Sequence, residues 1–387
     1  MAMPKVVKKK KPTKKVTKMT KKSNTVKKVL KNPARKIRKV TKKAVKKILN
    51  KVTLKRSPNN PIIVPSYYPW ESKATFNPTA FEAFGKIYII YRAIGDDDNS
   101  VLGYASTNNG FNITERYTHF IYKRYGDSAK LGPQLVNYSS GGGWGGGCED
   151  PRVTRIGDKI YMTYTAFDGW GSLRMALTSI KLDDFINKRW NWAVPVLISP
   201  PGQIHKNWVL FPEKINGKFA ILHSFYPKIL ISYFDSLDEL DGKTFIQSDN
   251  SRPIDPSRTW DSWFRGVGPS PILTKEGWLI LYHAMDNKNP DRYRMGALIL
   301  DLKDPTKVLY RSSKPILEPE EYYENQGYKW GVVYSCGVVV KDGILFVYYG
   351  GADRVVCVAT IKLRDLLDGL KKDKVIVLKK DNLLKSE

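Results

Sequence analysis

The chain has 387 residues, 42% hydrophobic and 12% aromatic, enough to bury a large core, with a formal net charge of +28. Three cysteines, Cys148, Cys336 and Cys357, show no Cys-x-x-Cys spacing, which argues against a zinc site or a disulfide framework. No apolar run approaches the roughly 20 residues that span a bilayer and no signal core opens the chain, so an intracellular protein without a transmembrane segment is expected.

The charge is local. Residues 1–56 hold 24 Lys or Arg and no acid, whereas the remainder holds 41 basic and 37 acidic residues. The first 31 residues read as a disordered polycation. Asn32-Pro33 then caps an amphipathic helix over 33–52, with Ile37, Val40, Ala44, Ile48 and Val52 on one stripe. A domain boundary is expected at 56/57, with a basic low-complexity tail before it. Such a tail would bind nucleic acid or another polyanion by counterion release and make the protein nucleic-acid- or particle-associated. An anionic membrane surface and a plain solubilising arm are the alternatives.

From Ser57 the composition changes, and a strand motif recurs. Gly85–Arg92, Asp158–Thr165, Gly217–Ser224, Gly277–His283 and Gly343–Tyr349 align on Tyr91, Tyr164, His223, Tyr282 and Tyr348, at spacings of 73, 59, 59 and 66 residues. Units of this size, built of strands without helical periodicity, predict an all-β fold, a five-bladed β-propeller over 57–387. A large β-sandwich is the alternative. In a propeller the residues just after each repeated strand converge on one pocket: Arg92, Asp168, Ser224, His283 and Asp353.

Between the first two repeats lies Gly141–Arg152, a glycine run that delivers Glu149 and Asp150. Alone, Asp150-Pro151 reads as a turn capped by a salt bridge; on the rim of a convergent pocket it reads as a general acid.

Several further pieces give the chain a family resemblance: Asn59-Asn60-Pro61, Trp70-Glu71, Phe76-Asn77-Pro78, Glu149–Arg152, Thr165–Gly169, Leu210–Lys214, Leu222-His223 and Tyr348–Asp353. In this order and spacing, from about Asn59 to Ala359, the chain resembles glycoside hydrolase family 130, the β-mannoside phosphorylases and mannosidases built on five-bladed propellers. The resemblance implies inverting phosphorolysis of a β-mannoside oligosaccharide to α-mannose 1-phosphate and a shortened glycan. By motif match Asp150 is the general acid, and Lys206, Asn207, Arg265, His283 and Tyr293 bind phosphate. Asn77, Arg92 and Asp353, joined by Asp168, bind the sugar, and Trp70, Trp144 or Trp170 either stack on it or pack the blades. Phosphate arrives already anionic, so no base is needed, whereas an inverting hydrolase needs a second carboxylate. Inorganic phosphate is the co-substrate; no metal or other cofactor is implied.

Ser224 departs from the pattern, because the family's phosphorylases commonly carry Arg there; either phosphate affinity is weakened or Arg174 supplies the missing charge. Hydrolysis within the same family is one alternative, although no Glu replaces Lys206 or Arg265 as its base. A non-catalytic glycan-binding or structural protein tethered by the tail is another, and a homo-oligomer is compatible with either. Glu149 has no expected role.

Overall fold

The computed structural model describes residues 52–123, 145–167, 173–249, 251, 253–258 and 260–373. Residues 1–51, and with them nearly all of the expected helix over 33–52, lie outside the described residues, as do Trp144, Asp168 and Trp170. Among the described residues no helix is long and apolar enough to cross a membrane.

The described chain is all-β apart from a few short helices. Its strands form five antiparallel meanders. The first comprises Ala74–Ala83, Lys86–Ile94, Asn99–Thr107 and Ile113–Arg116; the second comprises Gly146–Ile156, Lys159–Phe167, Leu173–Lys181 and Val196–Leu197. A short parallel pairing of Asn99-Ser100 with Gly146-Gly147 joins these two into one sheet. The third runs Val209–Leu210, Phe219–Ser224 and Leu230–Phe234, and the fourth runs Trp263–Val267, Gly277–Asp286, Asn289–Leu300 and Val308–Arg311. The fifth comprises Val333–Lys341, Ile344–Gly351 and Val355–Lys362. Its outer strand comes from the other end of the chain, Lys55–Arg56 on Ala359 and Thr360. The last residues of the basic segment are therefore part of the fold: Leu54 is buried in the same core.

The repeated motif is the second strand of every meander. These strands are covered on both faces, which is why they read as unbroken apolar runs rather than alternating ones. Leu279 and Leu281 pack toward the fifth meander, while Ile280 and Tyr282 pack toward the third. Five cores lie between consecutive meanders, and the one holding Ile87, Ile89, Tyr348 and Val358 joins the fifth to the first. The packing order closes on itself.

Three meanders share a buried Tyr–acid–Arg unit. Tyr91 donates to Glu71 Oε2 at 2.8 Å and accepts from Arg116 Nε at 3.1 Å. Tyr282 donates to Asp261 Oδ2 at 2.8 Å and accepts from Arg311 Nε at 3.1 Å. In the fifth meander Tyr349 donates to Glu324 Oε1 at 2.8 Å, and Arg56 Nε donates to the same oxygen at 2.8 Å. The acid follows an aromatic residue each time, in Trp70-Glu71, Trp260-Asp261 and Tyr323-Glu324. Tyr349 rather than Tyr348 is thus the fifth counterpart of Tyr91, one residue later than the spacing of 66 implies, because Tyr348 faces the opposite core. Trp70 belongs to this framework: its Nε1 donates to Thr118 O and its ring stacks on Tyr91.

Candidate active site

The first strand of four meanders is interrupted by a bulge, where the register shifts between Phe76 and Thr79, Glu149 and Arg152, Phe264 and Gly266, and Ser335 and Gly337. A bulge leaves a residue out of the ladder and re-aims its side chain. Three of these bulges deliver Asn77, Asp150 and Arg265 into one cavity. Asn77 (φ 45°), Asp150 (φ 51°), Asn207 (φ 67°) and Asp353 (φ 51°) all line it with left-handed backbone. Asn and Asp adopt that region more readily than other side-chain-bearing residues, and such strained positions gather where geometry serves function.

Asp150 is 5% exposed. Its Oδ1 accepts from Asn77 Nδ2 at 2.8 Å and Arg92 at 3.3 Å; among the described residues nothing donates to Oδ2. Burial opposes ionisation of Asp150, but the charges of Arg92, Lys206 and Arg152 and the Asn77 hydrogen bond outweigh it and hold its pKa below the ordinary carboxylate value. Asp353 is the reverse case: burial, aided by the nearby Asp150 charge, raises its pKa against the pull of Lys329 and Arg92. Glu149 now has a place. Fully buried, it accepts from Arg92 at 2.8 Å and from Lys206 Nζ at 3.0 Å, fixing two cations at the cavity wall.

On the other wall, Arg265 Nε donates to the Tyr293 hydroxyl at 2.7 Å. The Asn207 side chain is locked between Arg152 and Tyr334, which both donate to its Oδ1 at 2.8 and 2.7 Å, and Arg265 O, which accepts from its Nδ2 at 3.0 Å. Gly266 is required here, since a Cβ on it would lie 2.1 Å from Asn207 Nδ2. A second cavity, lined by His205, His223 and Ser224, shares Lys206, Asn207 and Arg265 with the first.

The structure thus brings together Asn77, Arg92, Asp150, Lys206, Asn207, Arg265, Tyr293 and Asp353. His283 does not line the cavity. It is fully buried, stacked on Tyr334 at 4.1 Å, and its Nε2 accepts from the Ser335 N–H. Burial, with Arg152's charge, lowers its pKa to about 3, so it is neutral. Arg174 does not replace an arginine at 224, because it donates to Ser199 O and lies over Phe245. His223 hydrogen-bonds Ser232, with its pKa lowered to about 4 by burial. Two polar lining residues were not foreseen, Tyr334 and Lys329. Both lie outside the recurring strand ends; only the aromatic–acid pair Tyr323-Glu324, which marks the approach to the fifth meander, points to that loop.

Arg92, Lys206, Arg265 and Lys329 face two carboxylates, Asp150 and Asp353, while Arg152 and Glu149 cancel behind them. The wall carries two positive charges in excess, suited to a dianion beside a polar, hydroxyl-binding pocket. A family model described as beta-1,4-mannooligosaccharide phosphorylase, glycoside hydrolase 130, matches residues 36–372. The chain belongs to glycoside hydrolase family 130. It is an enzyme, a glycoside phosphorylase of that family. The match begins inside the basic segment and takes in its last twenty-one residues, 36–56.

Among its family 130 relatives is a 1,2-beta-oligomannan phosphorylase of Thermoanaerobacter sp. (strain X514), 38% identical over 81% of this chain and 99% of that protein. A beta-1,2-mannobiose phosphorylase of the same organism is 36% identical over 80% of this chain and 97% of its own length. The solved beta-1,2-mannobiose phosphorylase of Listeria innocua, in complex with beta-1,2-mannobiose, superposes with a TM-score of 0.63 at 25% identity, covering 82% of this chain and 99% of that one.

Proposed function

We propose that the protein phosphorolyses β-1,2-linked mannosides on a five-bladed propeller, releasing α-mannose 1-phosphate and a glycan one residue shorter. The cyclic order of five cores supports the propeller, and the two long-matching relatives support the linkage. The observation that carries the reaction is the cavity itself: one carboxylate with an oxygen left open, facing cations in excess of acids.

Phosphate, held by Lys206, Asn207, Arg265 and Tyr293, attacks the anomeric carbon of a mannosyl unit bound by Asn77, Arg92 and Asp353. The C1–O bond to the leaving sugar breaks, and Asp150 supplies the proton that its oxygen takes up. Attack from the opposite face converts β to α. In the free protein Asp150 is held ionised by its cationic neighbours. A phosphate dianion on Lys206 and Arg265 opposes that field, so proton uptake by Asp150 accompanies phosphate binding. Glu149 cannot act as a base toward water, since both its oxygens are bound to cations.

The test is product analysis of β-1,2-mannobiose digests with and without inorganic phosphate. Mannose 1-phosphate, seen by phosphorus NMR and formed only with phosphate, is expected; free mannose released at a phosphate-independent rate would establish hydrolysis instead.

A further inference from the structure

We infer that Lys329 is a phosphate-binding cation of this site, the one that completes the anion clamp beside Tyr293 and Arg265. The inference rests on the phosphorolysis reading for its biological meaning, but its structural basis is separate.

Two of the other cations of the cavity are already held by carboxylates. Arg92 is paired with Glu149 and Asp150, and Lys206 with Glu149. Lys329 has no carboxylate within ion-pair distance among the described residues, although its charge acts on the nearby Asp353, and it lines the cavity. Its ammonium lies 4.3 Å from the centroid of the Tyr293 ring, and the hydroxyl of that ring accepts from Arg265. Arg265, Tyr293 and Lys329 therefore form a continuous row along one wall. A half-buried ammonium over an aromatic face keeps its charge while losing water, and an anion restores more of that lost solvation than a neutral sugar hydroxyl does.

The position is built rather than incidental. Lys329 N–H donates to Ala352 O at 3.1 Å, next to Asp353, and Gly331 O accepts from Tyr293 N–H at 2.9 Å. Gly327 lies so close to Ala352 that a Cβ would stand 2.2 Å from its carbonyl oxygen, and Gly331 (φ +71°) would place one 2.5 Å from Asp291 O. The loop is thus tied to Ala352 and to Tyr293 on either side of Lys329 in the chain, and close packing at its glycines sets its course. Ser224, half-buried on the wall of the adjoining cavity, brings no charge to this site, so a cation from the fifth meander's approach takes up that share of the anion.

The experiment compares wild type, Lys329→Met and Lys329→Arg. Initial rates of β-1,2-mannobiose phosphorolysis are measured against phosphate and, separately, against the disaccharide. Loss of one charged contact predicts a KM for phosphate raised roughly ten- to a hundredfold in Lys329→Met, with the KM for mannobiose changed less than about twofold and Lys329→Arg recovering most of the loss. An unchanged phosphate KM, or a rise in the mannobiose KM instead, would overturn the assignment. Thermal unfolding with inorganic phosphate alone separates this from the reaction: a phosphate-dependent rise in Tm in wild type that is lost in Lys329→Met upholds Lys329 even if the enzyme proves to be a hydrolase. An equal rise in both proteins, or none in wild type, sinks it.

Discussion

Asp261 and Asp150 are both buried carboxylates beside arginines, and both have pKa values held low against the opposing effect of burial. Their surroundings differ in one respect. Asp261 has both oxygens saturated: Arg258 grips them with Nε at 2.8 Å and a second nitrogen at 2.9 Å, while Arg311 and Tyr282 reach Oδ2 at 2.7 and 2.8 Å. Glu71 and Glu324, its counterparts in the first and fifth meanders, are likewise occupied on both oxygens. Asp150 is held by Oδ1 alone, on a left-handed residue that a bulge lifts out of the ladder. The same ingredients make a structural joint when both oxygens are occupied and a chemical group when one oxygen is left facing the cavity.

The largest expected effect tests the chemical half. Asp150→Asn should lower kcat by about 10²- to 10⁴-fold, the usual range for a positioned general acid. Unfolding free energy should change by about 1 kcal/mol or less, because Glu149 still holds Arg92 and Lys206. Asp261→Asn should do the opposite, costing about 3–5 kcal/mol in urea unfolding at neutral pH while the folded fraction keeps a near-normal kcat. If the two variants lose stability alike, the distinction drawn between the carboxylates fails.

The Asp261 contribution also carries a pH signature. Its folded pKa lies below the ordinary value of 3.8, so the stabilisation is present above that value and is lost as pH falls through the lower folded one. The gap between wild type and Asp261→Asn should therefore stay level from neutral pH to about 5 and close in stronger acid. The smallest effect sharpens the repeat register. Tyr349→Phe removes a hydrogen bond to a buried carboxylate and should cost about 1.5–3 kcal/mol. Tyr348→Phe removes one to the Gly110 carbonyl and should cost about 0.5–1.5 kcal/mol.

Much of this was legible beforehand for a physical reason. The repeated strands are buried on both faces, so five apolar runs stood out, and the polar residue that ends each one marked the rim of a common pocket. Of those strand-end residues Arg92 and Asp353 line the cavity, where Asn77, Asp150 and Arg265, read from the family motifs, join them. What failed to show lies where local pattern carries no directional information. A doubly buried strand looks the same shifted by one residue, which hid Tyr349 behind Tyr348. His283 follows its tyrosine just as Arg92 follows Tyr91, yet the Tyr334 ring lies over it, a contact across two meanders that neither segment announces. Lys329 reaches the cavity through a loop whose glycines set its course, and no periodicity records that path.

The outer strand of the last meander bears on the order of assembly. Arg56 finds Glu324 across 268 residues of chain. During synthesis that strand must wait, its ladder positions unfilled, until Val355–Lys362 has been made. Lys329 and Asp353 also belong to this final stretch, so an emerging chain holds its proposed proton donor and three of its four cavity cations before the cavity is complete. Activity and closure therefore arrive together, and a product cut short before the fifth meander should be inert and exposed along the edge where Lys55–Arg56 ought to lie.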